Sequence, residues 1–145
     1  MSERGPALIC VDAGDRRDAA RAALEELGYT AETAADAGAA IDQLRKVAYQ
    51  VVVVDEGYGG GSALDNTILK ALNTMAISVR RYMFVALVAA DVKTLDNAAA
   101  FARSVNAVVN PNDLGQLVVH LRRAIADNDA FYRVFREVLQ AAGKR

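Results

Sequence analysis

The chain contains few of the residues on which common catalytic and metal sites depend. Its 145 residues include one cysteine, Cys10, so it can form neither an internal disulfide nor a cysteine metal cluster. It also has one histidine, His120, with no cysteine or serine nucleophile positioned for it, which argues against hydrolase chemistry. We expect Cys10 to be a buried apolar residue within a strand, and His120 to be a surface or half-buried residue of a helix.

Charge and hydropathy argue against two further classes of protein. The 17 basic and 18 acidic side chains give a net charge of -1, which lacks the basic surface that duplex binding requires. No apolar run approaches the length of about 20 residues that spans a bilayer. The N-terminal segment, residues 1–6, is short and polar and does not resemble a targeting signal. We therefore predict no nucleic-acid partner, no membrane span and a cytoplasmic location.

Short apolar runs alternate with amphipathic stretches along the chain. This alternation is typical of parallel strands joined by crossover helices. The most apolar run, residues 51–54, is predicted to be a central strand because it has no polar side. The other predicted strands are 7–11, 29–34, 82–89 and 105–109, and predicted helices cover 15–27, 36–47, 64–75 and 95–102 before a final helix. We expect one α/β domain with five strands and five helices.

The final helix is predicted to be longer than the sheet that it covers. One apolar stripe spans residues 114–125, and a second follows the polar residues 127–129. An unbroken helix over 114–140 would be about 40 Å long, against about 17–20 Å for a typical strand. The alternative is a separate helix, capped by Asn128 or Asp129, that folds back. We predict that the second stripe binds a protein partner or forms a homodimer, with these residues as anchors: Phe131, Val134, Phe135 and Val138.

Two carboxylates directly follow predicted strands. Asp12 comes after the strand at 7–11, and Asp55 after the most apolar strand. Open parallel sheets bind their ligands at the carboxyl ends of the strands, so we expect the candidate site there. Two neighbouring carboxylates repel each other unless a cation lies between them. Weak divalent-metal binding by Asp12 and Asp55 is therefore one interpretation, and solvated acids without a function are the other.

A glycine-rich loop at residues 57–62 follows Asp55. Backbone amides in such a turn can bind an anion, but the loop lacks the Gly-Lys-Ser/Thr ending of a nucleotide loop. We predict a mobile loop in which Tyr58 is a candidate contact for a partner, and we keep a flavodoxin-like small-ligand binder as an alternative. The basic pairs at 80–81 and 122–123 are interpreted as solvated surface, with docking of an acidic partner as the alternative.

Together, these features resemble the receiver domain of two-component response regulators over residues 7–125. The resemblance rests on the order of the elements and on four landmarks, which are Asp12, Asp55, the glycine-rich loop and Pro111. It implies an α/β, flavodoxin-like (βα)5 fold with a doubly wound parallel five-stranded sheet, here with an extended C-terminal helix. In that family the aspartate after strand three accepts a phosphoryl group from a histidine kinase, and an acid after strand one helps to bind Mg²⁺. The resemblance implies these roles for Asp55 and Asp12.

Three positions depart from the family pattern. Ala13 stands where the second acid is expected, Val88 or Ala89 where a threonine or serine ends strand four, and Asn110 where a lysine precedes Pro111. Losing a carboxylate weakens an Mg²⁺ site, and losing the lysine removes a cation that would compensate the transferring phosphoryl oxygens. We therefore expect a pseudo-receiver that is not an enzyme, holds no cofactor beyond weak Mg²⁺, and associates with proteins independently of phosphorylation. The alternative is a receiver that a histidine kinase phosphorylates on Asp55.

These expectations divide the chain into two parts. Residues 1–127 would form the receiver-like domain, and residues 128–145 would form a C-terminal helical extension. The boundary falls in the polar segment between the two apolar stripes of the final helix.

Overall fold

Five strands form a single parallel sheet in the computed structural model, which describes residues 4–60 and 66–143. The strands are β1 (Pro6–Cys10), β2 (Thr30–Thr33), β3 (Val51–Asp55), β4 (Phe84–Val88) and β5 (Ala107–Val109). Their order in the sheet is β2-β1-β3-β4-β5, and every neighbouring pair is parallel. The predicted doubly wound, five-stranded α/β sheet is confirmed.

Helices connect the strands and cover both faces of the sheet. They are α1 (Asp15–Glu26), α2 (Ala37–Lys46), α3 (Thr67–Asn73), α4 (Ile77–Arg80), α5 (Asn97–Ala102) and α6 (Leu117–Ala141), with 3-10 turns at Tyr58–Gly60 and Pro111–Gln116. The one-turn helix α4 was not predicted, because four residues are too few to show a helical repeat. It moves the start of β4 from the predicted Tyr82 to Phe84. Leu64, the predicted start of the third helix, lies outside the described residues.

Single residues mark two helix ends, as predicted from the sequence. The Asp36 side chain caps α2 by accepting a hydrogen bond from the Ala39 amide at 2.8 Å. Gly28 follows α1 with φ 96°, a left-handed conformation that favours glycine. Asp36 thus marks where α2 begins, and Gly28 marks where α1 ends before β2.

The core consists of two layers, one on each face of the sheet. Helices α2, α3 and α5 pack on one face, and α1 and α6 pack on the other. All five residues of β3 are buried, as expected for a central strand, and Cys10 in β1 is fully buried, as predicted. Because side chains alternate along a strand, Asp55 is on the same face as Val51 and Val53, which is the face covered by α1 and α6.

Helix α6 is continuous over 25 residues, so the folded-back alternative is wrong. It begins at Leu117 rather than Leu114, because Pro111 starts a 3-10 turn that extends to Gln116. At 1.5 Å per residue it is about 38 Å long, and its last buried residue is Ile125. We call residues 126–141 the overhang. Its predicted anchors are exposed by 65% at Phe131, 56% at Val134, 40% at Phe135 and 60% at Val138.

The continuity of α6 bears on the predicted domain boundary. The predicted boundary between residues 127 and 128 falls inside an unbroken helix. Across the described ranges, 4–60 and 66–143, no helix combines the length and apolar character that crossing a membrane requires.

Candidate functional site

Asp55 ends β3 at the carboxyl edge of the sheet, and the protein itself supplies donors to both of its carboxylate oxygens. Oδ2 accepts a hydrogen bond from Arg16 Nη1 at 2.9 Å, which is also an ion pair. Oδ1 accepts a hydrogen bond from the Gly57 amide at 2.9 Å. Arg16 is the second residue of α1, which begins at the same edge of the sheet. Sequence reasoning missed it, although its place in the first turn of the helix after Asp12 was an available signal.

Asp12 lies at the same edge but bonds to a different part of the loop. Its Oδ1 accepts a hydrogen bond from the Gly59 amide at 3.3 Å, and its side chain is exposed. Within the part of the chain that the structure describes, no three histidine, cysteine or carboxylate side chains are grouped so that they could hold a metal ion. The weak divalent-metal site between Asp12 and Asp55 stays a prediction.

Val88 is the register partner of Asp55 in the neighbouring strand. The two side chains share a face of the sheet, and Val88 is almost completely buried. The neighbour of the Asp55 carboxylate on β4 is therefore an aliphatic group with no hydrogen-bond donor. Ala13, at the position where the family has its second acid, is exposed beside Asp12 and likewise brings no polar side-chain atom to the edge.

Asn110 uses its side chain to hold neighbouring loops. Its Nδ2 donates hydrogen bonds to the carbonyl oxygens of Ala90 at 3.3 Å and Val92 at 2.9 Å. Its Oδ1 accepts a hydrogen bond from the Asn112 amide at 2.9 Å, at the start of the 3-10 turn that Pro111 begins. The side chain therefore joins the end of β5 to the loop after β4, and its donors are directed at that loop.

Two further residues of this edge were not predicted. Asn66 is buried, and its Nδ2 donates to the carbonyl oxygens of Asp55 at 3.1 Å and Glu56 at 3.0 Å. Its Oδ1 accepts hydrogen bonds from the Ile68 and Leu69 amides and so caps α3. Glu56 Oε2 accepts a hydrogen bond from the Ala90 amide at 2.6 Å. An asparagine before an apolar helical stripe is a capping signal that sequence analysis can use, whereas the Glu56 contact depends on strand order.

Tyr58 is buried, so its predicted role as a partner contact is wrong. It is 5% exposed and packs in the layer that contains α2 and α3. Burial raises the pKa of its hydroxyl, which has no hydrogen-bond partner among the described residues. Gly59 and Gly60 have φ values of 66° and 82°, and these left-handed conformations allow the tight turn at Tyr58–Gly60. Gly61 and Ser62 of the predicted loop lie outside the described residues.

The basic and histidine positions are partly as expected. His120 is half-buried on α6, as predicted, and Arg122 forms an exposed 3.6 Å ion pair with Glu26. Arg80 is not solvated surface: its guanidinium donates to the Met83 carbonyl at 2.8 Å and to Asn106 Oδ1 at 3.2 Å. Desolvation by burial lowers the pKa of Arg80. Arg80 therefore holds the loop before β4 in place.

The predicted interaction residues form an aromatic cluster on the overhang. The rings of Phe131 and Tyr132 meet edge to face at 5.6 Å, and those of Tyr132 and Phe135 at 6.3 Å. A cleft of about 680 Å³ separates the overhang from the loop before β4. We call it the overhang cleft, and its main lining residues are Arg81, Tyr82, Tyr132, Phe135, Arg136 and Leu139.

Comparisons with known proteins identify the fold. No protein-family model matches the chain, and no curated protein matches it. NtrX from Brucella abortus in complex with ADP is similar in structure, with a TM-score of 0.66 at 16% identity over 97% of this chain and 30% of the NtrX chain. The chemotaxis response regulator CheY4 of Vibrio cholerae has a TM-score of 0.57 at 18% identity, over 83% of this chain and 97% of its own.

A third similar structure is a fusion that contains the trimeric coiled coil of yeast Spc42. Its TM-score is 0.61 at 19% identity, over 98% of this chain and 95% of the fusion. This chain spans less than a third of NtrX, so only the matching domain of that protein is compared. The parallel five-stranded sheet with alternating helices matches the fold of CheY4. The chain has the fold of the receiver domains of response regulators.

Proposed function

We propose that this chain is a pseudo-receiver, a receiver-fold module for protein association that works without phosphorylation of Asp55. The observation that carries the proposal is the 2.9 Å ion pair between Arg16 and Asp55. A guanidinium is charged at every physiological pH, and here it is attached to the chain. In a phosphoacceptor pocket, a divalent cation supplies the positive charge beside the aspartate. Here the Arg16 guanidinium supplies that charge beside Asp55.

The neighbouring residues support the same proposal. A phosphoryl group transferred to Asp55 needs donors and cations around its oxygens. Val88 offers none, and the Asn110 amide already donates to Ala90 and Val92. The nearest loop amides, those of Gly57 and Gly59, are bonded to Asp55 and Asp12. The groups at this edge are thus engaged with one another, which favours a structural role for the pocket.

The exposure of Arg16 favours one competing function. Its side chain is 51% exposed, whereas that of Asp55 is 10% exposed. A half-exposed arginine can swing into solvent at modest cost, and that movement would free Asp55 to accept a phosphoryl group from a histidine kinase. The small-ligand alternative has no comparable observation in its favour among the described residues, because the Gly57 and Gly59 amides already bond to carboxylates.

A phosphodonor experiment separates the two functions. The full chain is incubated with acetyl phosphate and Mg²⁺, and its intact mass is measured over time, with Asp55→Asn as the matched control. We expect no phosphoryl addition to the wild-type chain. Stable addition of one phosphoryl group to the wild type, absent in Asp55→Asn, would overturn the proposal and establish the phosphoacceptor function.

We propose that association uses the overhang. Its exposed apolar residues Phe131, Val134, Phe135 and Val138 would anchor a protein partner or a second copy of the chain. A structurally similar fusion contains a trimeric coiled coil, which supports association through a helix. In this proposal residues 1–127 form the folded domain, residues 128–145 form the extension that binds, and the protein acts in the cytoplasm as a non-enzymatic module.

A further inference from the structure

The overhang has an apolar face wider than the seam of a two-stranded coiled coil. At about 100° per residue, its apolar positions share one side of the helix, while Arg133 and Glu137 are on the other side and Arg136 borders the overhang cleft. The apolar positions are Phe131, Tyr132, Val134, Phe135, Val138 and Leu139. None of them is classed as buried, although the same helix buries Leu117, Leu121 and Ile125.

The exposed area matches what an interface between two copies requires. From typical side-chain areas, the four most exposed anchors leave on the order of 400 Å² of apolar surface uncovered. Tyr82, which is 67% exposed across the overhang cleft, and the half-buried Tyr132 and Leu139 extend this surface. Together, these side chains expose an area that approaches the about 800 Å² that each partner buries in a standard interface. A solvent-exposed patch of this size is unusual for a monomer.

The face is also chemically complementary to itself. A two-fold interface brings the same patch of both copies together, so the patch must not carry charges that meet their own copies. Between Ala130 and Gln140, Arg133 and Glu137 are on the opposite side of the helix, and Arg136 lies at the border of the apolar face beside the overhang cleft. The edge-to-face contacts among Phe131, Tyr132 and Phe135 hold these rings together before binding, which lowers the entropy lost on association.

Asp127 decides the direction of pairing. It precedes Phe131 by four residues and Val134 by seven, so it is on the same side of the helix as the apolar face. In a parallel pair, the two Asp127 carboxylates would meet at the edge of the interface and repel each other. In an antiparallel pair, each carboxylate instead lies near the other end of the partner helix, so the two do not meet.

We propose that two copies of this chain form an antiparallel, two-fold dimer through their overhangs, with the axis near Phe135 at the middle of the apolar face. The inference rests on the proposed association surface, and it names the partner as a second copy. Each overhang would cover the aromatic cluster of the other, and the Phe131, Val134 and Val138 edge of one copy would enter the overhang cleft of the other.

Light scattering over a range of concentrations tests the partner. We expect twice the 15.5 kDa mass of one chain, and Phe131→Glu should raise the dissociation constant at least about 30-fold. The matched control is Phe101→Glu, since Phe101 is an 87% exposed phenylalanine on α5, and it should leave the dimer unchanged. Circular dichroism verifies that both variants are folded.

A wild-type chain that stays monomeric at about 100 μM would overturn the inference, since even a weak specific interface gives dimers there. A trimer, or equal loss of dimer in both variants, would also overturn it. Each of these results leaves the phosphodonor experiment unaffected, so failure of the dimer is distinguishable from failure of the proposed pseudo-receiver.

Single cysteines test the direction of pairing. The native Cys10 is fully buried and does not interfere. We expect Phe135→Cys to form a disulfide with its own copy, and an equal mixture of Asn128→Cys and Ala142→Cys, in which Asp127 is kept, to form a mixed disulfide. Self-crosslinking of all three variants would show a parallel pair. Either that outcome or the absence of any crosslink would overturn the antiparallel dimer.

Discussion

The carboxyl edge of the sheet and the overhang of α6 differ in how completely their side chains are paired or covered by other parts of the same chain. At the edge, both oxygens of Asp55 accept hydrogen bonds from within the chain, and the Asn110 amide holds two neighbouring carbonyls. On the overhang, the aromatic rings contact mainly one another and leave large apolar areas in water. A polar atom needs only one well-placed partner, whereas an apolar surface needs an equally large surface to cover it. The proposed pseudo-receiver uses the closed region for folding and the open region for association.

The sharpest test of this difference compares the covered and uncovered parts of the same helix. Leu121→Ala removes a side chain that is 1% exposed and should lower the free energy of unfolding by about 3 kcal/mol. Phe131→Ala removes a larger side chain that is 65% exposed, and it should change that free energy by less than about 0.5 kcal/mol in the dissociated chain. Urea unfolding at high dilution measures both. Similar losses in the two variants would mean that the overhang is packed against its own domain.

A second test opens the closed edge. Asn66→Ala removes the cap of α3 and both hydrogen bonds to the Asp55 and Glu56 carbonyls. The free energy of unfolding should therefore fall by about 2.5 kcal/mol. Asn66→Ser is the matched control, because its hydroxyl keeps a capping acceptor without adding a charge, while the amide donor is lost. It should fall between the alanine variant and the wild type in chemical denaturation. An alanine variant as stable as the wild type would contradict the buried role of this side chain.

The buried thiol beside this edge gives a pH-dependent test. Burial raises the pKa of Cys10 from 9.0 to about 12. Between these values the unfolded chain loses the thiol proton while the folded chain keeps it, so stability falls as pH rises, by about 1.4 kcal/mol per pH unit. Below pH 9 both states hold the proton, and this contribution to the pH dependence vanishes.

Cys10→Ala removes that group and supplies the comparison. The difference in unfolding free energy between wild type and variant should shrink between about pH 9 and the highest pH at which the fold survives. Equilibrium unfolding at several pH values measures it. A constant difference across this range would show that the thiol is not desolvated.

The smallest expected effect concerns the ion pair that carries the proposed function. Arg16→Ala should lower the unfolding free energy by about 1 kcal/mol, a modest value because Arg16 is half exposed. The matched control is Arg45→Ala, which breaks an exposed 3.8 Å pair with Asp42 and should change stability negligibly. Arg16→Ala should also bind Mn²⁺ more tightly than the wild type, as seen by paramagnetic broadening of NMR signals near Asp55. Equal broadening in both proteins would contradict the role of Arg16 as an internal counter-ion.

Much of the fold was predictable because its signals are local. The alternation of apolar runs and helical stripes predicted five strands in a parallel α/β sheet, and Asp36 and Gly28 marked helix ends correctly. The position of Asp55 at the end of the most apolar strand also predicted the edge of the sheet at which it lies. These features depend on periodicity and on single residues with special backbone preferences.

The contacts within the candidate site were much less predictable. Arg16 and Asp55 are 39 residues apart in sequence, and the register between β3 and β4 brings Val88 beside Asp55. Tyr58 turns inward because two glycines after it adopt left-handed conformations, so a residue expected at the surface enters the core. Arg80 likewise leaves the solvent because the loop before β4 offers it acceptors.

By itself the sequence determined the sheet, the apolar stripes of α6 and the uncharged residues at positions 13, 88 and 110. Only the tertiary structure decided that Arg16 is the cation facing Asp55 and that the second apolar stripe of α6 stays exposed. The physical reason is that periodicity fixes which side of an element is apolar, whereas coverage depends on the size of the surface opposite. That surface ends at Ile125, and the helix continues beyond it.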